Sequence, residues 1–373
     1  MAGQPTPMPE SASFHPSRVL FEQASLDYPL GRRLWDRFSG SVDRGVAEVQ
    51  IIPSHNRVTR LPGRTAGVAY LEAKRTLVVG VRRGLDFASC RPSADYQMPL
   101  VTSCPGLCEY CYLQTTLGRR PYVRVYVNVE EILNRVGELA RAGELARAGE
   151  LARAGELARA DRPISFEGAA VGDPVPVEPL TGALAEAVRF FALQENARFR
   201  FVTKFPDVDG LLGLDHRGHT RARVTLNTER VIRDFDHGTP PLETRLDTLA
   251  RLTAAGYATG VMIAPVFLEG DWRREYEAFF ERLGRLFGPV RATAPDLTLE
   301  VVTHRFTATA RRIILERYPE SRLPMGEEGR VQKRGQFGYF KYVYPKAQLD
   351  EARVFFTRLA ERYLPEAALD YLV

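Results

Sequence analysis

Thiols are scarce in this chain: four cysteines among 373 residues, beside six histidines and two tryptophans. Long apolar runs are missing too. None approaches the roughly 18 residues of a membrane helix, so no membrane association is expected. The opening stretch MAGQPTPMPESASFHPSRV is rich in Pro and Ser and has no apolar h-region, which argues against a secretory signal. Residues 1–18 read instead as a disordered leader. Without an export signal the expected compartment is the reducing cytoplasm, where grouped cysteines point to metal rather than to disulfides. Neither sign of charge is in large excess. A net charge of +5 and a pI near 9.0 agree with a nucleic-acid partner without requiring one. The histidines show no ligand spacing, and none lies between His55 and His216.

What is present is concentrated. Residues 103–112 read SCPGLCEYCY, placing Cys104, Cys108 and Cys111 in a C-x3-C-x2-C array with Cys90 as the one remaining thiol. A structural zinc site normally takes a fourth Cys or His, which this neighbourhood does not supply; a distant ligand would be needed. Three thiolates suffice for three irons of a [4Fe–4S] cube and leave the fourth iron open to a substrate or cofactor.

From the cysteines onward, strand-like runs alternate with helical spacing. Candidate strands are 96–103, 163–168, 198–204, 221–227, 260–266 and 297–303, most of them separated by amphipathic stretches such as LTGALAEAVRFFALQ. This is an α/β series of parallel βαβ units, too short for a full eight-stranded barrel but sufficient for a partial (β/α)6 barrel. Active residues are then expected at the C-terminal ends of the strands. The expected organisation is an N-terminal extension over 19–95, the barrel over 96–303, and a C-terminal β-hairpin plus helix over 304–373. Residues 137–160 are four copies of GELARA. Six residues advance a helix by about 600°, so successive leucines turn by roughly 240° and form no single stripe; an insert lengthening a surface helix is expected.

The spacing C-x3-C-x2-C followed by Tyr112 resembles the signature of the radical S-adenosylmethionine enzymes. The stretches YCYLQTTLGRRPYVRVYVN, FVTKF, HRFTATARRIILERYP and GYFKYVY resemble, more narrowly, the spore photoproduct lyase family, and the likeness runs from about residue 19 to the C-terminus. That resemblance implies a lyase that reverses the 5-thyminyl-5,6-dihydrothymine lesion of ultraviolet-damaged DNA through a 5′-deoxyadenosyl radical. It implies Cys104, Cys108 and Cys111 as ligands of a [4Fe–4S] cluster, and Tyr112, Lys204, Thr225 and Ala264 as contacts of S-adenosyl-L-methionine. It also implies an electron donor such as ferredoxin or flavodoxin.

Two departures from the family pattern stand out. The family's hydrogen-donor cysteine is replaced by Ala170 and a nearby serine by Gly172, which leaves Cys90 as the candidate donor, with Tyr110 or Tyr112 relaying the hydrogen atom. In the C-terminal hairpin, Gln336 and Phe337 stand where the family has Arg and Tyr. With Lys341 and Tyr342 they form the candidate substrate contacts, since aromatics among cations suit a splayed nucleotide. Arg221 and Arg223 read as solvated charges, and His304 as a structural histidine. Three other readings stay open at this stage. One is a radical enzyme of the same fold acting on a different nucleic-acid or small-molecule substrate. The others are a nucleic-acid-binding module with a structural cluster and a plain zinc protein.

Overall fold

The computed structural model describes residues 14–40, 46, 48–58, 63–118, 120–154, 163–287, 296–335 and 338–373, with the backbone alone over 143–154. Numbering strands in chain order, a five-stranded sheet contains β1 (Arg18–Glu22), β2 (Glu48–Ile52), β3 (Thr76–Gly80), β6 (Val101–Thr102) and β7 (Val123–Tyr126). Its order is β2-β1-β3-β7-β6. A second, eight-stranded sheet contains β4 (Ser89–Cys90), β5 (Ala94–Gln97), β8 (Ile164–Glu167), β9 (Ala197–Thr203), β10 (Thr220–Leu226), β11 (Ala258–Val266), β12 (Thr298–Thr303) and β15 (Ala368–Leu372). It runs β15-β12-β11-β10-β9-β8-β5-β4, parallel throughout except for the β4–β5 ribbon. The strands β13 (Val331–Arg334) and β14 (Phe340–Val343) form a separate antiparallel hairpin.

The six expected barrel strands are present, and their two faces separate by residue type. In β9, ARFRFVT alternates buried and half-buried positions. Phe199 and Phe201, with Phe166, Val224, Ile263 and Leu299 of neighbouring strands, pack outward against helices supplying Val188, Phe191, Leu249 and Phe280. The opposite face is charged. Arg223 donates to Glu167 and, at 2.6 Å, to Glu300, while Arg200 also binds Glu300. Ser93 Oγ lies 2.9 Å from Glu167 and 3.2 Å from Arg223, and Tyr371 donates to Glu300 at 2.9 Å. Two arginines and two glutamates thus neutralise each other inside the curl of the sheet.

Several expectations need correction. The first strand, 96–103, is split. Pro99 cannot donate to a ladder, so β5 stays with the barrel while β6 pairs with β7 in the other sheet. The N-terminal layer therefore does not end at residue 95 but takes strands from as far as Tyr126. Of the expected leader, residues 14–18 are ordered, with Phe14 buried and its N–H bonded to the Pro176 carbonyl at 3.4 Å, and residues 1–13 lie outside the described residues. The C-terminal segment is not only an appendage, since β15 extends the main sheet beside β12. Arg221 and Arg223 are not solvated: Arg221 binds the Thr259 carbonyl at 2.8 Å, and Arg223 is fully buried. His304 is buried between Phe267 and Phe306, at ring distances of 4.8 and 5.8 Å, as expected of a structural histidine. The GELARA copies continue the helix Val129–Ala154 as far as it is described; residues 155–160 lie outside the described residues. Among the described residues no helix is long and apolar enough to cross a membrane.

Candidate active site

The loop after β6 carries the three clustered thiols and has no regular ladder of its own. Its backbone groups are tied down one at a time. Leu107 N–H bonds the His237 carbonyl at 2.8 Å and Glu109 N–H bonds that of Phe235 at 3.0 Å. Gln114 donates to the carbonyls of Cys108 and Glu109, and Tyr318 to that of Leu107 at 2.7 Å. Gly106 is confined: a Cβ there would stand 2.9 Å from Thr239 and 3.6 Å from Cys104 Sγ. None of Cys104, Cys108 and Cys111 is in a disulfide. Burial pushes the Cys108 thiol up to about 12, against the pull of Lys204, and burial likewise raises Cys104.

Lys204, Thr225 and Ala264 lie at the C-terminal ends of β9, β10 and β11. Each shares the period-2 parity of the inner charges, Lys204 with Arg200, Thr225 with Arg223 and Ala264 with Gly260 and Met262. The same face and the same end therefore carry all three. Lys204 Nζ is 2.9 Å from Asp236, 2.5 Å from the Tyr110 hydroxyl and 3.5 Å from Cys108 Sγ. Asp236 also accepts from the Tyr110 hydroxyl and pairs with the fully buried Arg245 at 2.8 Å. Burial lowers the affinity of Lys204 for its proton and raises that of Asp236. Tyr110 is thus committed to this network.

Tyr112 is placed differently. Its hydroxyl donates to the Ala170 carbonyl, and its ring is 59% exposed while protein on several sides raises its pKa, as expected for a group lining a concave mouth. Cys111, Cys90 and Cys104 all act on it. Cys90, half-buried on β4, is raised by burial and sits in the field of Arg223 and Arg200. The Tyr112 hydroxyl thus ties the cysteine loop to Ala170, while Cys90 lies on β4 at the edge of the main sheet.

Asp173 completes the mouth and was not singled out as a site residue from sequence. It accepts from Thr203 Oγ at 2.9 Å and from the N–H groups of Lys204 and Val175 at 3.0 and 3.1 Å, and burial raises it to about 7. Gly172 precedes it, and a Cβ at that position would stand 2.4 Å from the Ser103 carbonyl oxygen. Asp236, Arg245, Lys74 and Arg317 were also missed. They reach the loop from separate helices and turns and carry no spacing signal of their own.

The hairpin stands at the rim. Lys333 and Lys341 are directly opposite, a like-charge pair that an anion would relieve. Tyr342 is stacked on Phe306 at 5.1 Å and accepts from Gln332 at 3.0 Å, so its ring anchors the hairpin. Tyr339 and Phe340 are the exposed rings, at 49% and 58%. Gln336 and Phe337 lie outside the described residues. The hairpin base and Tyr110 share one apolar cluster through Phe267, Phe306 and Phe235.

Among the described residues no three His, Cys, Asp or Glu side chains are gathered for a single metal ion. A cube presents a separate iron to each thiol, so its ligands stand further apart than those of one ion. Three unpaired thiols on one pinned loop, with a cation beside the group, fit such a cluster.

Comparison with known proteins gives a consistent picture. The family model described as spore photoproduct lyase matches residues 14–373. A spore photoproduct lyase of Clostridium acetobutylicum is 40% identical over 357 residues, covering 95% of this chain and 98% of the relative. The Bacillus subtilis protein of the same name is 38% identical, covering 96% and 98%. A solved spore photoproduct lyase mutant with bound AdoMet and dinucleoside spore photoproduct superposes with a TM-score of 0.88 at 39% identity, covering 97% of this chain and all of that one. A second structure, complexed with dinucleoside spore photoproduct, gives 0.88 at 38% identity, with the same coverage. The matched length, the six-stranded inner barrel and the pinned three-cysteine loop agree, and the chain belongs to the spore photoproduct lyase family.

Proposed function

We propose that this chain is a radical S-adenosylmethionine lyase that returns the spore photoproduct in ultraviolet-damaged DNA to two thymines, with Cys90 as its hydrogen donor. Cys104, Cys108 and Cys111 would hold a [4Fe–4S] cluster, and S-adenosylmethionine would be bounded by Tyr112, Lys204, Thr225 and Ala264. When bound, the pair supplies one electron and a 5′-deoxyadenosyl radical able to take hydrogen from C6 of the lesion. The chain's own residues orient, exclude water and finish the reaction. Lys204 presents a cation at the strand ends to an anionic carboxylate. Once the methylene bridge has broken, the Cys90 S–H gives its hydrogen atom to the thymine radical. Tyr112 would then give its hydroxyl hydrogen to the Cys90 sulfur and recover one from the 5′-deoxyadenosine formed at the first step, so that the radical returns to the cofactor and both side chains are restored. Tyr110 suits this relay less, because its hydroxyl is already held by Asp236 and Lys204. Lys341 and its partner Lys333 would face phosphates, with Tyr342 fixing the hairpin; Gln336 and Phe337 are assigned to the substrate on the family resemblance alone. The electron would come from a small reductant protein such as ferredoxin or flavodoxin, in the cytoplasm.

What supports the donor assignment is the Tyr112 hydroxyl bonded to the carbonyl of Ala170, the family's donor position, with Cys90 the one thiol outside the clustered array. The test is an anaerobic assay of the reconstituted protein with reductant, S-adenosylmethionine and the dinucleotide lesion, following repaired dinucleotide and 5′-deoxyadenosine together. Cys90→Ala is expected to keep deoxyadenosine formation while repaired dinucleotide falls about tenfold or gives way to side products. Unchanged repair in Cys90→Ala removes the donor role, and deoxyadenosine without repair in the parent removes the substrate.

A further inference from the structure

Lys74 ends the helix Ala66–Lys74 and is 2% exposed. Its Nζ donates to Ser103 Oγ at 3.1 Å and to the Cys104 carbonyl at 2.8 Å, and lies 5.4 Å from the centre of the Tyr70 ring. Among the described residues no carboxylate stands within ion-pair distance of it. Arg317, at the end of the helix Ala308–Arg317, lies over the same ring at 4.2 Å. It donates to the Gly118 carbonyl at 2.9 Å and to Gln114 Oε1 at 3.1 Å, again with no carboxylate in ion-pair range among the described residues. Lys204, by contrast, has its own acid in Asp236.

A buried cation without an anion is costly, and such groups are kept where an opposite charge arrives. The groups that become anionic here are the thiols. Lys74 Nζ bonds the carbonyl of Cys104 itself, and Arg317 bonds Gln114, whose amide holds the carbonyls of Cys108 and Glu109. We infer that Lys74, with Arg317 beside it on Tyr70, is the built-in counter-charge of the cluster, raising its reduction potential and easing its one-electron reduction. The inference rests on the cluster reading above and concerns this chain's residues, not the lesion. The relevant anion is the thiolate-bound cube, whose negative charge grows by one when it accepts an electron. A fixed cation at its edge stabilises the reduced state more than the oxidised one. Lys74 meets the loop at Ser103 and Cys104, whereas Lys204 meets it at Cys108 and Tyr110.

The test uses full-length protein reconstituted with iron and sulfide, without S-adenosylmethionine or lesion, titrated potentiometrically and read by electron paramagnetic resonance. Lys74→Met is expected to lower the reduction equilibrium about tenfold, a negative shift of about 59 mV for one electron. Lys74→Arg is expected to restore most of it. Arg317→Leu should shift in the same direction by less, and it carries the test if Lys74→Met fails to retain the cluster. Before iron is added, Lys74→Met should be at least as stable as the parent, because an unpaired buried charge has gone. Potentials of both neutral variants within about threefold of the parent equilibrium overturn the inference and leave Lys74 a structural residue. So does a Lys74→Arg as low as Lys74→Met. A parent protein that takes up no iron overturns the cluster reading, and this inference with it.

Discussion

Arg223→Met tests whether the barrel interior is held by charge balance. Arg223 is fully buried and touches Glu167, Glu300 and Ser93. Removing it leaves two carboxylates against one guanidinium, Arg200. Glu300 keeps Arg200 and the Tyr371 hydroxyl at 2.9 Å. Glu167 keeps only Ser93 at 2.9 Å, the Ala169 N–H at 3.1 Å, and Arg200 at a distant 3.9 Å. Deleting one partner of a buried pair costs about 3–5 kcal/mol, and the value expected here is near 3 because Arg200 remains. Glu167→Gln alone is also destabilising, since it takes the charged acceptor from Arg223 and Ser93. Arg200 also faces Asp370 at 3.6 Å, so the double variant leaves Arg200 with Glu300 and Asp370, and it should be more stable than the sum of the singles by about 1.5–3 kcal/mol. Urea unfolding at neutral pH, followed by circular dichroism, measures all four proteins. A loss below about 1 kcal/mol in Arg223→Met, or strict additivity in the double, refutes the charge-balance argument.

Two further outcomes are expected. Lys204→Met should weaken S-adenosylmethionine binding about ten- to hundredfold by calorimetry on the reconstituted protein, the equivalent of about 1.5–3 kcal/mol for a charge-assisted contact, while iron content stays at the parental level; a change under about threefold removes the assigned contact. Glu22 is buried, which alone would raise it, yet His55 at 2.6 Å, Arg83 and the Val81 N–H hold it below the usual carboxylate range. Its contribution is therefore present above the unfolded carboxyl range and is lost as pH falls through the lower folded value. Glu22→Gln should flatten that acid limb in urea midpoints taken from neutral pH downward, and an unaltered limb counts against the assignment.

The sequence was most legible where one short period set the outcome. Alternation within RFRFVTK and RARVTLN marked the strands, whereas Lys204, Thr225 and Ala264 came from the family resemblance and their common inner face emerged only with the register of the sheet. The clustered cysteines were legible because three thiols in eight positions have few other uses. Arg223 was misread for a physical reason. A charged side chain is ordinarily solvated, and the glutamates that bury this one lie 56 and 77 positions away. Its place in a strand whose alternate positions face inward was the available signal. Lys74, Asp236 and Arg245 were invisible for the same cause, since each acts only once distant helices and turns have met. The hairpin pattern of aromatics and lysines located the rim but not which ring is free, because the stacking of Tyr342 on Phe306 is a tertiary contact.

Gly172 gives the loop beside Cys90 a direction of descent. A sulfur atom can be restored at Ala170, which already carries a Cβ, by a single substitution. A side chain at Gly172 has no such route, because its Cβ would stand 2.4 Å from the Ser103 carbonyl and drive against the backbone that leads into Cys104. Replacing that glycine therefore requires prior movement of the cysteine loop, whose contacts are shared by three parts of the chain. In mutational terms the two losses differ in kind: one is a step that can be retraced, the other a ratchet. A sulfur atom at position 170 is accordingly easier for this chain to accept than any side chain at position 172.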